Sequence, residues 1–100
     1  MNINQNKENT KLIVFADGEL DTLTAPIFKD SIEKNLEGIE ELILNFKQIR
    51  YTSSAGLRVL LFLHKTMHNR GGSMTIKELS PEVFETIKIV GFDGILNIEV

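Results

Sequence analysis

Two hydroxyls, a small residue and a glycine, Ser53-Ser54-Ala55-Gly56, stand where an apolar run gives way to a helical pattern. A serine there can cap the helix, because its oxygen accepts a bond from an unpaired N–H of the first turn. The same position suits a phosphate, since free N–H groups and the helix dipole both favour negative charge. Local pattern leaves both readings open. Arg58, one turn on, reads as a solvated helix residue or as a contact for a partner or for a phosphate on Ser54. His64 and His68 are spaced to share a helix face and to hold one edge of a metal site. His64-Lys65-Thr66-Met67-His68 lacks the glutamate of H-E-x-x-H, and no third ligand is indicated, so a surface pair without metal is expected. Asp17, Glu19 and Asp21 form an acidic cluster. It reads as a solvated loop with helix-start charge, or as an acidic lip beside the Ser54 turn. The second reading requires strand ends carrying Asp21 and Asn45 to lie side by side.

Enzyme chemistry finds little support in these residues. A serine hydrolase would need His64 or His68 as its base, and His64 lies about ten residues beyond Ser54, roughly 15 Å along a helix. A nucleophile elbow needs Gly where Thr52 stands. There is no GxGxxG and no P-loop. The chain is expected to be no enzyme and to carry no cofactor.

The elements that must position this stretch can be read from periodicity. Met1 to Thr10 is polar and fits a short edge strand or a frayed terminus. Leu12 to Ala16 is an apolar strand continuing through Gly18 to Leu20, with a bulge or kink at Asp17-Gly18 preferred over a hairpin. A helix follows, with Thr24 as the N-cap, Pro26 in its first turn and Ile27, Phe28, Ile32 and Leu36 on one face. Gly38 is expected to end it. Glu41 to Phe46 is the next strand, and its near-continuous apolar character predicts burial on both faces. A helix from about Ser54 to Asn69 presents Leu57, Leu60, Leu61, His64 and Met67 and stops at Arg70-Gly71-Gly72. Met74 to Ile76 is a short strand. Ser80-Pro81-Glu82-Val83 opens a third helix that Gly91 closes, and Ile95 to Val100 holds a last strand. The order β-β-α-β-α-β-α-β predicts an α/β fold with a mixed, mostly parallel sheet and flanking helices.

Length and composition set the outer bounds. One hundred residues with 42% hydrophobic side chains fit a single domain over residues 1–100 with a small core. The absence of cysteine excludes disulfides, thiolate metal sites and a cysteine nucleophile, and fits a reducing compartment. A secretory signal and a membrane-spanning run are both missing, so a cytoplasmic location without membrane insertion is expected. A net charge of −3, with 11 basic residues scattered along the chain, argues against a nucleic-acid partner.

At four places in register the chain resembles a STAS domain, in particular the small anti-sigma factor antagonists. Gly18-Glu19-Leu20-Asp21 with Thr24-Ala25-Pro26 resembles the family's opening G-x-L-D…T-A. Glu41-Leu42-Ile43-Leu44-Asn45-Phe46 is similar to its central strand, and Tyr51-Thr52-Ser53-Ser54-Ala55-Gly56-Leu57 to its switch loop. Gly91-Phe92-Asp93-Gly94-Ile95-Leu96-Asn97-Ile98 resembles its closing motif. The resemblance implies a transcription regulator that works by partner switching. The unphosphorylated form binds an anti-sigma factor, a serine kinase of the GHKL type, and frees the sigma factor. Phosphorylation ends that binding, and a metal-dependent serine phosphatase reverses it. On this pattern Ser54 matches the phosphoacceptor, with Ser53 the second candidate, and Asp21 the acidic residue near it. Gly56 matches the glycine that lets the partner approach. The implied partner-binding surface is Asp21, Thr22, Thr52, Ser53, Ser54, Ala55, Gly56, Leu57 and Arg58. The chain departs from the pattern where Ser53 and Asn45 stand in place of aspartates. The alternative within the family is an unphosphorylated scaffold subunit of a transport or sensory assembly.

Overall fold

The computed structural model describes residues 1–100. The polar start is the edge strand β1 (Asn2–Glu8), which pairs antiparallel with β2 (Lys11–Leu20). From there strands and helices alternate: α1 (Thr24–Glu33), β3 (Glu41–Thr52), α2 (Ser54–Asn69), β4 (Ser73–Lys77) and α3 (Pro81–Ile89). A 3-10 turn at Phe92–Gly94 then leads into the short strand β5 (Asn97–Glu99). The sheet runs in chain order, β1-β2-β3-β4-β5, and every pair after the first is parallel. The sequence anticipated this order; only the 3-10 turn had no signal in it.

Each crossover from β2 onward steps the same way across the sheet, and parallel crossovers are right-handed. All three helices therefore lie on one face, and burial agrees. Leu12, Val14 and Ala16 of β2, Leu42, Leu44 and Phe46 of β3, and Met74 and Ile76 of β4 join one apolar core with Phe28 and Ile32 of α1, Leu60, Leu63 and Met67 of α2, and Val83 and Ile87 of α3. Phe28 meets Phe46 edge to face, with ring centroids 6.0 Å apart. Fully burying one such side chain stabilises the fold by about 1.5–3 kcal/mol. The alternate residues of the strands stand outside that core. Phe15 is exposed and Asn45 half-buried, while Ile43 is buried beside its row neighbours Ile13 and Thr75. The burial of β3 on both faces expected from its apolar run is met at Ile43 but not at Asn45: helices cover one face, and on the other Ile43 stands among its sheet neighbours.

Helix α1 departs from expectation at both ends. Thr24 is not the N-cap but the first helical residue; Asp21 does the capping, its Oδ1 accepting the N–H groups of Leu23 (2.9 Å) and Thr24 (3.0 Å). The helix ends at Glu33, well before Gly38. Beyond it, tight turns bring Leu36 and Ile39 into the core, and Arg70, just past α2, donates to both their carbonyls.

The kink expected at Asp17-Gly18 is present. Gly18 has φ +128°, a conformation that side-chain-bearing residues rarely adopt. Register shifts flank it, between Phe15 and Asp17 and between Gly18 and Glu19, each placing one extra residue in β3. These bulges carry β3 on to Thr52, opposite Leu20.

Candidate functional site

That register assembles the site. Leu20 and Thr52 end their strands side by side, and the Ser53 N–H donates to the Leu20 carbonyl at 2.8 Å. Asp21 and the Ser53-Ser54 turn therefore leave the sheet at the same edge. Asn45 does not join them, and its pairing with Asp21 is corrected. It lies opposite Phe15, within β3, where its side chain donates to Glu78 and accepts the Lys47 N–H at 3.0 Å.

The two serines have separate tasks. Ser53 is extended (φ −92°, ψ 177°) and is the N-cap of α2; its Oγ accepts the Gly56 N–H at 3.4 Å, and its carbonyl accepts the Leu57 N–H at 3.0 Å. Ser54 is the first helical residue and is exposed, and its hydroxyl takes no part in the hydrogen bonds of the turn. The cap takes one N–H and the first helical bond another, which leaves the Ser54 and Ala55 N–H groups at the positive end of the helix dipole.

Gly56 is buried, and the reason lies inside the chain. A Cβ there would stand 2.3 Å from Thr52 Oγ1 and 2.8 Å from both Leu20 Cγ and the Leu20 carbonyl oxygen. The glycine lets α2 close onto the ends of β2 and β3. The packing alone requires a glycine here, so its identity does not by itself speak for a partner's approach. Thr52 and Leu57 are likewise buried, at 2% and 4% exposure, and fix the turn that carries Ser54; Leu57 also lines a small hollow beside that serine.

Asp21 is half-buried at the start of α1. The backbone N–H of Thr24 holds its carboxyl below the usual aspartate range; desolvation opposes it, and the Leu23 N–H and the Thr24 hydroxyl add to the lowering. The Asp21 N–H donates to Thr24 Oγ1 at 2.8 Å, and that hydroxyl donates to the Glu19 carbonyl at 2.7 Å. The remainder of the acidic cluster is ordinary surface: Asp17 pairs with Arg50 at 3.3 Å, and both are exposed.

Arg58 is exposed and forms no ion pair, unlike Lys29, which meets Glu33 at 3.3 Å. It stands between two hollows. One, of about 510 Å³, runs between α1 and α2 past Thr22, Ala25, Ala55 and Phe62. The other, of about 190 Å³, joins Ser54 and Leu57 to Val90 and Phe92 beyond α3. Lys29, Phe62 and Val90 were not among the candidate site residues read from the sequence, and Phe92 entered only within the closing motif. Lys29, Val90 and Phe92 lie far from the serines along the chain, Phe62 lies about two turns along α2, and no spacing marks any of them. His64 and His68 stack one turn apart with ring centroids 6.3 Å apart, on a different part of α2 from Ser54. No helix of the chain is long and apolar enough to cross a membrane.

A mixed sheet in chain order, parallel from β2 onward, with helices on one face and a serine turn opening the second helix, defines a protein of the STAS class. The family model for the STAS domain matches residues 1–100, and the chain belongs to that family. The anti-sigma-B factor antagonist of Bacillus subtilis (strain 168) is 31% identical over 101 aligned positions, spanning 98% of this chain and 92% of that protein. Among solved structures, an anti-sigma factor antagonist from Mycobacterium paratuberculosis superposes with a TM-score of 0.86 at 18% identity, covering 98% of this chain and 84% of that one. The Bacillus cell fate determinant SpoIIAA in its phosphorylated form gives a TM-score of 0.76 at 16% identity, covering 99% and 91%.

Proposed function

We propose that this chain is an anti-sigma factor antagonist. Its unmodified form binds an anti-sigma factor that is also a GHKL-type serine kinase, and so frees a sigma factor. Phosphorylation at Ser54 ends the binding, and a metal-dependent serine phosphatase restores it. The observation that carries the reading is the division of labour between the serines. Ser53 is engaged as the helix cap, whereas Ser54 is exposed with its hydroxyl free of the turn's hydrogen bonds. The exposed faces of Asp21, Thr22, Ser54, Ala55 and Arg58 form the contact surface around it, with Ser53 behind them.

The physics of the switch is local. A phosphate on Ser54 adds about −1.5 to −2 charges at one helix N-terminus, where the dipole tolerates them, so the fold is kept. The surface changes instead, through repulsion and bulk at the partner contact. The similarity to full-length antagonists, and to a structure solved in a phosphorylated form, supports the reading. The test is phosphate mapping by peptide mass spectrometry on protein from its native cell, in growth and under stress. Phosphate on Ser54 with condition-dependent occupancy is the expected result, and Ser54→Ala should abolish it while Ser53→Ala retains it. Phosphate on Ser53, or none with full peptide coverage, refutes the assignment.

A further inference from the structure

The groove between α1 and α2 has an apolar floor and a cationic rim. Ala25, Pro26, Ala55, Val59 and Phe62 supply the floor, and Lys29 and Arg58 stand at its edges. No carboxylate lines it, although the chain as a whole carries a net charge of −3. Lys29 is folded over the Phe62 ring, its ammonium 4.4 Å from the centroid and 3.3 Å from Glu33, which lies outside the lining, so the uncompensated charge at the groove is that of Arg58. Arg58 has no ion-pair partner within the chain. The apolar surface extends beyond the groove along α1, where Leu23 and Ile27 are 80% and 60% exposed.

An apolar trough with a positive rim selects its occupant by charge complementarity. We propose that this groove seats an acidic amphipathic helix. One or two apolar side chains enter between Pro26, Val59 and Phe62, and carboxylates on the flank of the same helix meet Arg58 and Lys29. The inference rests on the proposed function only for the identity of the protein that supplies the helix, the anti-sigma partner. It extends the contact surface from the Ser54 turn along α2 to Phe62. It also gives Arg58 two competing anions: Ser54 is one turn before it, so a phosphate there draws the guanidinium away from the partner's carboxylate.

The test is a titration of the isotope-labelled full chain, followed by backbone amide NMR. The probe is a synthetic amphipathic peptide of roughly five helical turns, with a Leu/Phe stripe flanked by glutamates. A twin with lysines in place of the glutamates is the control. The expected result is saturable movement of the Ala25, Lys29, Ala55, Val59 and Phe62 amides, with the acidic peptide binding about tenfold more tightly than its twin. Arg58→Glu with Lys29→Glu should reverse that preference, and Phe62→Ala should weaken both peptides with the spectrum otherwise intact. Equal affinities, movement confined to other faces, or the same amides moving with protein concentration alone (a second copy as occupant) would overturn the proposal. Because the titration uses the chain without modification of Ser54, failure here leaves the phosphorylation reading standing. Absence of phosphate on Ser54 would equally leave the groove result intact.

Discussion

Replacing Gly56 with alanine tests the geometry on which the site depends. The added Cβ would sit 2.3 Å from Thr52 Oγ1 and 2.8 Å from the Leu20 carbonyl oxygen and Leu20 Cγ. The carbonyl cannot turn aside cheaply, because it accepts the Ser53 N–H at 2.8 Å. Relief requires the first turn of α2 to lift from the sheet, and overpacking against backbone of this kind costs about 3 kcal/mol. Loss of the Ser53 bond adds about 1 kcal/mol. Alanine's better helix propensity returns about 1 kcal/mol. The expected net loss is about 3 kcal/mol, or a fall in Tm on the order of 15 °C for a chain of this size. Equilibrium urea unfolding followed by circular dichroism measures it. Gly94→Ala is the control, since a Cβ there meets nothing within 4 Å, and it should stay within about 0.5 kcal/mol of the parent. A Gly56→Ala protein as stable as that control would refute the claim that close approach of β2 and β3 fixes the Ser54 turn.

Three further outcomes follow from the same geometry. Ser53→Ala should cost about 1 kcal/mol by removing the cap, while Ser54→Ala should be nearly neutral; equal costs in urea unfolding would contradict the division between the serines. Asp21 has its pKa depressed by folding, so the unfolded chain binds the extra proton and the stability this group contributes is present above about pH 3.9, the unfolded value. That contribution should disappear as pH falls through the lower folded value, and Asp21→Asn should flatten this part of an acid-unfolding curve; an unchanged curve would count against the helix-capping role. Arg50→Ala should alter stability by no more than about 0.5 kcal/mol, because its ion pair with Asp17 is exposed, and a larger loss in the same urea assay would contradict this.

The sequence by itself determined the element order and most of the buried stripe of each element, because hydrophobic periodicity is a local property. Ile27, expected on the buried face of α1, is instead 60% exposed, since α1 turns Ala25, Phe28 and Ile32 to the sheet. Strand and helix periods, the Ser80-Pro81 helix entry and the Gly18 kink could be read without knowing any neighbour, and the order they gave implies a mostly parallel sheet. The register was not legible in that way. Two extra residues in β3 bring Thr52, and not Arg50, opposite Leu20, and only pairing with β2 reveals them. The same long-range contact explains Gly56, whose missing side chain is required by Leu20 and Thr52. Local pattern named both serines as caps or acceptors. Only the tertiary structure separated them, because the Ser53 N–H is tied to Leu20 at the end of β2 and its hydroxyl faces the helix, leaving Ser54 at the surface. The groove between α1 and α2 was hidden for the same reason. Its lining combines residues distant in the chain, and their proximity follows from helix packing on one face of the sheet and not from spacing.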